Sequence, residues 1–129
     1  MFIMTLCLFI AAWFPLLSKM VVALFMFKEG KYDNNHPREQ QKRLTGFGAR
    51  AVAAHQNSFE ALLFFGLAIL CALITKNNSW TTDALAITFI ISRTFYHVFY
   101  LLDLANLRSF VWFIGFISSM WILGSSISF

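Results

Sequence analysis

Charged and hydrogen-bonding side chains recur at helical spacing inside stretches that are otherwise apolar. One group is Arg50, His55, Asn57 and Glu60. Another is Arg93, Tyr96, His97, Tyr100 and Asp103. Lys19 precedes them and Arg108 follows. At about 100° per residue, Arg50, Asn57 and Glu60 fall within roughly an 80° sector, while His55 points about 140° from Arg50 and must contact something else. Arg93, Tyr96, His97 and Tyr100 share one stripe, with Asp103 at its edge. Two polar stripes on neighbouring helices are expected to face each other or a shared wet cleft, because neither can face lipid. Rise along the helix sorts the set by depth. Lys19, Glu60 and Arg93 form an inner layer, in which cations pair with Glu60 and Asn57. Lys28, Arg50, Tyr100 and Arg108 form an outer layer, balanced only by Glu39 and Asp103. Such an excess of buried positive charge suggests an anionic ligand.

These residues sit in a chain whose solvent is lipid. It has 129 residues, 59% of them hydrophobic and 12% charged, with mean hydropathy +0.68. Soluble domains carry about 25% charged residues. A span needs roughly 20 apolar residues, and four stretches qualify, at about 2–27, 45–75, 82–102 and 107–127. The expected fold is an all-α membrane protein, a four-transmembrane-helix bundle forming one domain over 1–129. The N-terminal stretch lacks a basic start and a small-residue cleavage site, so it reads as a retained helix. The segment between the first two spans, about Lys28 to Thr45, is polar, with the turn-forming run Asp33, Asn34, Asn35, His36, Pro37.

The net charge of +4 is concentrated between Lys28 and Arg50. That concentration reads as a topology signal rather than a nucleic-acid surface. The first loop carries Lys28, Lys31, Arg38, Lys42 and Arg43, the second only Lys76, and the third Arg108. The first and third loops are therefore expected on the cytoplasmic side and both termini on the other. Cys7 and Cys71 lie in apolar runs with no Cys-x-x-Cys spacing, so they read as packing residues, with no metal site.

The segment RAVAAHQNSFEALLFF resembles the second-helix signature of the MAPEG family, the membrane-associated proteins in eicosanoid and glutathione metabolism. That signature has an Arg, a His five residues on, then Asn and Glu two and five residues after the His, here Arg50, His55, Asn57 and Glu60. LSKMVV around Lys19 resembles the family's first helix, and Asn35, Pro37 and Glu39 loosely resemble its Asn-Pro-Glu-Asp loop. SRTFYHVFYL resembles the third helix through Arg93 and Tyr100, and LRSFVW the start of the fourth through Arg108 and Ser109. The sequence departs from the family at Ala53, where several members have another Arg. Tyr96 stands where a His is frequent, and Lys28 where Arg is frequent.

The resemblance implies a homotrimer of bacterial, microsomal glutathione transferase-like type in the inner membrane, with glutathione as co-substrate bound between protomers near the cytoplasmic face. It implies thiolate attack on a lipophilic electrophile or hydroperoxide. Arg50 and Arg93 suit the tripeptide's carboxylates, since guanidinium pairs with them bidentately. Glu60 suits its ammonium. Asn57, Tyr96 and Lys28 add binding contacts, and Arg108 and Tyr100 are the catalytic candidates: Arg108 suits the thiol, whose pKa a nearby cation lowers, and Tyr100 orients the peptide by a hydrogen bond and is next in line as thiol activator. Bland readings stand beside these. Lys19 either snorkels or neutralises Glu60. His55 and His97 read as hydrogen-bonded packing residues. Tyr96 serves packing or ligand contact. Asp103 and Arg108 cap the third turn. A rival function is a small proton-coupled multidrug transporter titrating Glu60, against which stands the expectation that cations surround Glu60. A non-enzymatic membrane subunit is the third reading.

Overall fold

A computed structural model of the chain describes residues 1–127; the last two residues of the domain expected over 1–129 lie outside the described residues. It contains five helices among those residues: α1 (Phe2–Lys28), α2 (Pro37–Arg43), α3 (Gly46–Ile74), α4 (Trp80–Leu101) and α5 (Ala105–Ile127). Four of them, all but α2, are long and apolar enough to cross a membrane. The all-α, four-span bundle expected from the sequence is what forms. At 1.5 Å per residue the 29 residues of α3 run about 44 Å, against a hydrocarbon thickness of about 30 Å. The polar start of α3 therefore stands outside the hydrocarbon.

Helix α2 was not anticipated. Its signals are present, however: Pro37 opens it, Glu39 sits in its first turn, and Lys42 and Arg43 in its last. Buried Gln40 clasps the segment to α1. Its amide donates to Met26 O at 3.1 Å and Lys31 O at 3.2 Å, and its carbonyl accepts from Asp33 N at 2.8 Å. The Asp33 carboxylate accepts from His36 N at 2.9 Å and Asn35 N at 3.0 Å. The His36 amide above all holds this carboxyl below the usual carboxylate range.

The connections at the other helix ends are short and specific. At the end of α4, Asp103 has φ 62°, Leu104 N donates to Phe99 O at 2.9 Å, and Asp103 N donates to Tyr100 O at 3.2 Å. This left-handed cap satisfies two terminal carbonyls and lets α5 turn straight back. Lys76 caps α3 in the same way, with φ 58° and Asn77 N donating to Ala72 O at 2.9 Å. Buried Asn77 then ties the far ends together. It donates to Ser125 Oγ at 3.0 Å and accepts from Thr82 Oγ1 at 3.3 Å.

Helix α1 packs on α3 and α4, and α5 packs on α3 and α4. The main core holds Met4, Cys7, Phe65, Ala68, Ile69, Phe89 and Ile122, with Phe65 and Phe89 stacked at 3.9 Å. A smaller cluster of Val22, Met26, Leu44 and Ala51 lies toward the α2 end. Large apolar side chains such as Leu24, Leu63, Ile91 and Phe113 face outward, as lipid contact requires. With lipid outside, close packing is the main force between spans, and small residues permit it. Gly115 is the tightest point. A Cβ there would stand 2.5 Å from Ser92 Oγ on α4. That approach seats the start of α5, with Arg108 and Trp112, against the Tyr96 and Tyr100 side of α4.

Candidate functional site

The polar stripes of α3 and α4 meet. Arg93 Nη2 donates to Asn57 Oδ1 at 2.8 Å, and Asn57 Nδ2 donates to Glu60 Oε2 at 2.9 Å. Only this orientation of the amide satisfies both charged neighbours. Arg93 is 2% exposed, and its guanidinium lies over the Tyr96 ring at 3.9 Å. Tyr96 meets Tyr100 edge-on at 5.5 Å, and Arg108 lies over the Tyr100 ring at 4.5 Å. Carboxylate, amide, guanidinium, two phenols and a second guanidinium thus follow one another across α3, α4 and α5. A cavity of about 200 Å³ opens between Tyr96, Tyr100, Arg108, Ser109 and Trp112. A narrower recess of about 40 Å³ reaches Asn57, Glu60, Arg93 and Trp112.

Six of the anticipated site residues, Asn57, Glu60, Arg93, Tyr96, Tyr100 and Arg108, are therefore brought together. Lys28 and Arg50 are not. Arg50 Nε donates to Leu101 O at 3.3 Å, and Nη1 stands 3.7 Å from the Asp103 carboxylate. The last carbonyls of α4 lack helical partners and carry its negative dipole end, which draws the long Arg50 side chain across to them. Lys28 is exposed, with Nζ 4.7 Å above the Phe25 ring, which stacks on Phe47 at 4.8 Å. The outer layer expected from Lys28, Arg50, Tyr100 and Arg108 is thus split in two within the protomer. Asp103 holds the left-handed cap position at the end of α4, as expected, and its carboxylate pairs with Arg50.

Two further expectations are corrected. Among the described residues no ion pair joins Lys19 to Glu60; the ion pairs present are His36–Asp33 and Arg50–Asp103. Glu60 is exposed in the protomer and reaches a cation only through Asn57, so it is not surrounded by positive charge. The stripe on α4 also divides. His97 lies about 100° around the helix from Tyr96, and it turns away from the site. Its Nδ1 donates to Arg93 O at 2.8 Å, leaving Nε2 to accept from Ser58 Oγ at 2.8 Å, and its ring stacks on Phe14 at 5.3 Å.

Ser58 in turn approaches Ser18 Oγ at 3.4 Å, and Ser18 approaches His55 Nδ1 at 3.3 Å. His55 Nδ1 donates to Pro15 O at 3.0 Å. Both histidines are packing residues bonded across α1, α3 and α4, as expected, and His55 does face away from Arg50. Ser18 and Ser58 were missed as their partners. The available signal was a pair of small hydroxyl residues inside otherwise apolar spans, where interhelical hydrogen bonds are common. Trp112, which walls both cavities, was also missed, because one more aromatic residue among so many carries no signal.

The model of the MAPEG family matches residues 3–128. The chain belongs to the MAPEG family. No curated protein and no solved structure matches it. Within this MAPEG chain, six of the positions that carried the resemblance, Asn57 and Glu60 on α3, Arg93 and Tyr100 on α4, and Arg108 and Ser109 on α5, border the two adjoining cavities, while others, Arg50 and His55 among them, do not. It is an integral, multi-pass membrane protein.

Proposed function

We propose that this MAPEG protein is a membrane glutathione transferase or peroxidase of microsomal, bacterial type, acting as a homotrimer in an inner membrane. The observation that carries the reading is the continuous run Glu60–Asn57–Arg93–Tyr96–Tyr100–Arg108 beside a cavity of about 200 Å³. Glutathione offers an ammonium, two carboxylates and a thiol. Glu60 would take the ammonium, and Arg93 a carboxylate reached through the narrow recess. Tyr96 and Tyr100 would line the bound peptide, and Arg108 would hold the sulfur. A guanidinium beside a thiol favours the thiolate, the reactive form, and the tripeptide then supplies the nucleophile for a lipophilic electrophile or hydroperoxide entering from the bilayer.

Assembly completes this site. Glu60 is exposed on the flank of the protomer, at a depth where a bare carboxylate is costly. An adjacent copy would cover it and bring Lys28 to the peptide, which explains why Lys28 stands apart within one protomer. Arg50 would act at one remove, fixing the end of α4 on which Tyr100 sits. The termini would face away from the cytoplasm.

The transporter reading draws support from the exposure of Glu60, since a titrating carboxylate needs access. The hydrogen bonds through Asn57 to Arg93 weigh against it, because they tie this side chain into the polar run of the candidate site rather than leaving it alone on the flank. Thiolate absorbance against pH at saturating glutathione separates these readings. The wild-type protein should form thiolate well below the ordinary thiol value of about 8.5. Arg108→Ala should bind glutathione within a few fold, yet move thiolate formation up by about one unit, equivalent to about 1.4 kcal/mol. A flat calorimetric titration of the wild-type protein with glutathione overturns the reading.

A further inference from the structure

On the other side of α4 from the tyrosines, α1 and α4 part toward the α2 end and leave a cavity of about 240 Å³ over α3. Its walls include Phe14, Leu17, Val21, Val98 and Leu101, with Ala51 and Ala54 as its floor. It shares none of its lining residues with the two cavities of the candidate site. The polar groups that border it are already engaged. Ser18 donates to Phe14 O at 2.8 Å, Thr94 donates to Ile90 O at 2.9 Å, and both His97 nitrogens are bonded within the bundle. A polar ligand would find no free partner inside, so the occupant is a hydrocarbon chain.

Length and position narrow the occupant further. Phe14 and Val21, and likewise Thr94 and Leu101, are seven residues apart, about 10 Å along the helix. One leaflet of hydrocarbon is about 15 Å thick. The groove therefore runs from near the midplane most of the way to one surface. At its surface end stands Arg50, the chain neighbour of Ala51, bonded through Nε to the carbonyl of Leu101. Its Nη1 stands 3.7 Å from the exposed Asp103 carboxylate in an ion pair too long for a hydrogen bond, and Nη2 has no hydrogen-bond partner among the described residues, so Nη2 is the donor open to an anion. Charge at the end of the groove and apolar walls along it match one molecule of the bilayer.

We propose that the α1–α4 groove is a phospholipid site, holding one acyl chain along its length and the lipid phosphate at Arg50. The site rests on the membrane-spanning fold and not on glutathione chemistry. It is tested on the full-length protein in mild detergent without glutathione, titrated with phosphatidylglycerol, with lipid retained per protomer counted by native mass spectrometry. The wild-type protein should retain one lipid per protomer. Val98→Trp, or Thr94→Phe should the first variant not fold, fills the groove and should lower retention at least tenfold. Arg50→Gln should weaken it severalfold while decane still competes for the groove. Equal retention by a folded groove-filled variant overturns the proposal. So does a groove-filled variant that loses its oligomeric state with lipid retention unchanged, which would make a second copy the occupant. Calorimetry with glutathione on the same samples keeps the two readings apart. Absence of glutathione binding with lipid retained removes the transferase reading and leaves the lipid site, and the reverse pattern does the opposite.

Discussion

Replacing Asn57 with leucine, similar in size and without hydrogen-bonding groups, cuts the run of polar contacts at its centre. Two bonds are lost, from Arg93 Nη2 at 2.8 Å and to Glu60 Oε2 at 2.9 Å. Hydrogen bonds between spans average about 0.6 kcal/mol, while stranding one member of a buried ion pair costs roughly 3–5 kcal/mol. Arg93 lies between these limits. It is 2% exposed, but it keeps the Tyr96 ring at 3.9 Å, a contact worth about 2 kcal/mol when dry. Glu60 is exposed in the protomer, so its half adds little. The expected loss for Asn57→Leu is about 2 kcal/mol of unfolding free energy, by the bounds just given. Arg93→Met removes the same bond from the other side. In a double-mutant cycle the pair should therefore couple by about 1–2 kcal/mol, within the range for residues in direct contact. Reversible unfolding in mixed micelles, followed by circular dichroism, gives the four free energies. Additivity within about 0.5 kcal/mol would mean that Asn57 does not hold Arg93, and the account of the site would fail at its centre.

Four other outcomes are expected. Gly115→Ala should destabilise by about 1–3 kcal/mol through overpacking, and Ser92→Ala in the same chain should recover most of the melting temperature, because Ser92 Oγ is the atom in the way. Asp103→Gly should leave stability unchanged or raise it, since glycine adopts φ 62° freely and the lost ion pair is 69% exposed on the Asp103 side. Asp103→Val should lower stability by about 1–2 kcal/mol in the same thermal scan. Asp33 has a depressed carboxyl pKa, so the stability it contributes is complete above about pH 4 and lost as the pH falls through the depressed value. The protection factors of the Asn35 and His36 amides, referred to the intrinsic exchange rate at each pH, should fall over that range, and Asp33→Ala should remove that change in protection. In a background lacking Cys7 and Cys71, a cysteine at Asn34 should resist impermeant thiol reagents on intact cells while one at Asn78 reacts, and the opposite pattern reverses the proposed orientation.

The spans were legible because a helix crossing hydrocarbon must be long and apolar, a constraint that leaves few alternatives. Five site residues, Asn57, Glu60, Arg93, Tyr96 and Tyr100, were legible for a related reason, and Arg108 through the family resemblance. Polar groups on apolar helices have to converge, so the α3 and α4 stripes could be paired without coordinates. Angular position alone did not resolve Arg50 and Lys28, whose long side chains reach a full turn or more. Arg50 was drawn to the carbonyl end of α4, and nothing in its own helix announces that. His97 shows the limit of a stripe about 100° wide: its two edges contact different helices, one at the Tyr96 cavity and one at Ser58. Helix α2 was hidden by its shortness and by the turn-forming residues just before it, although Pro37 and Glu39 marked its start.

The exposed carboxylate of Glu60 has a consequence for how the protein is made and retired. Glu60 lies 14 residues before the end of α3, about 21 Å along the helix axis, which places it inside the hydrocarbon rather than at either surface. A charged carboxylate at the centre of a helix costs about 2.5–3.5 kcal/mol on insertion scales, and a lone protomer bears some fraction of that until something covers its flank. If the chain assembles as proposed, newly inserted copies would thereby be driven to leave the dispersed pool, and copies without neighbours would remain chemically distinguishable from assembled ones. The same side chain that would receive an ammonium group would then also mark whether the chain that carries it has found its neighbours.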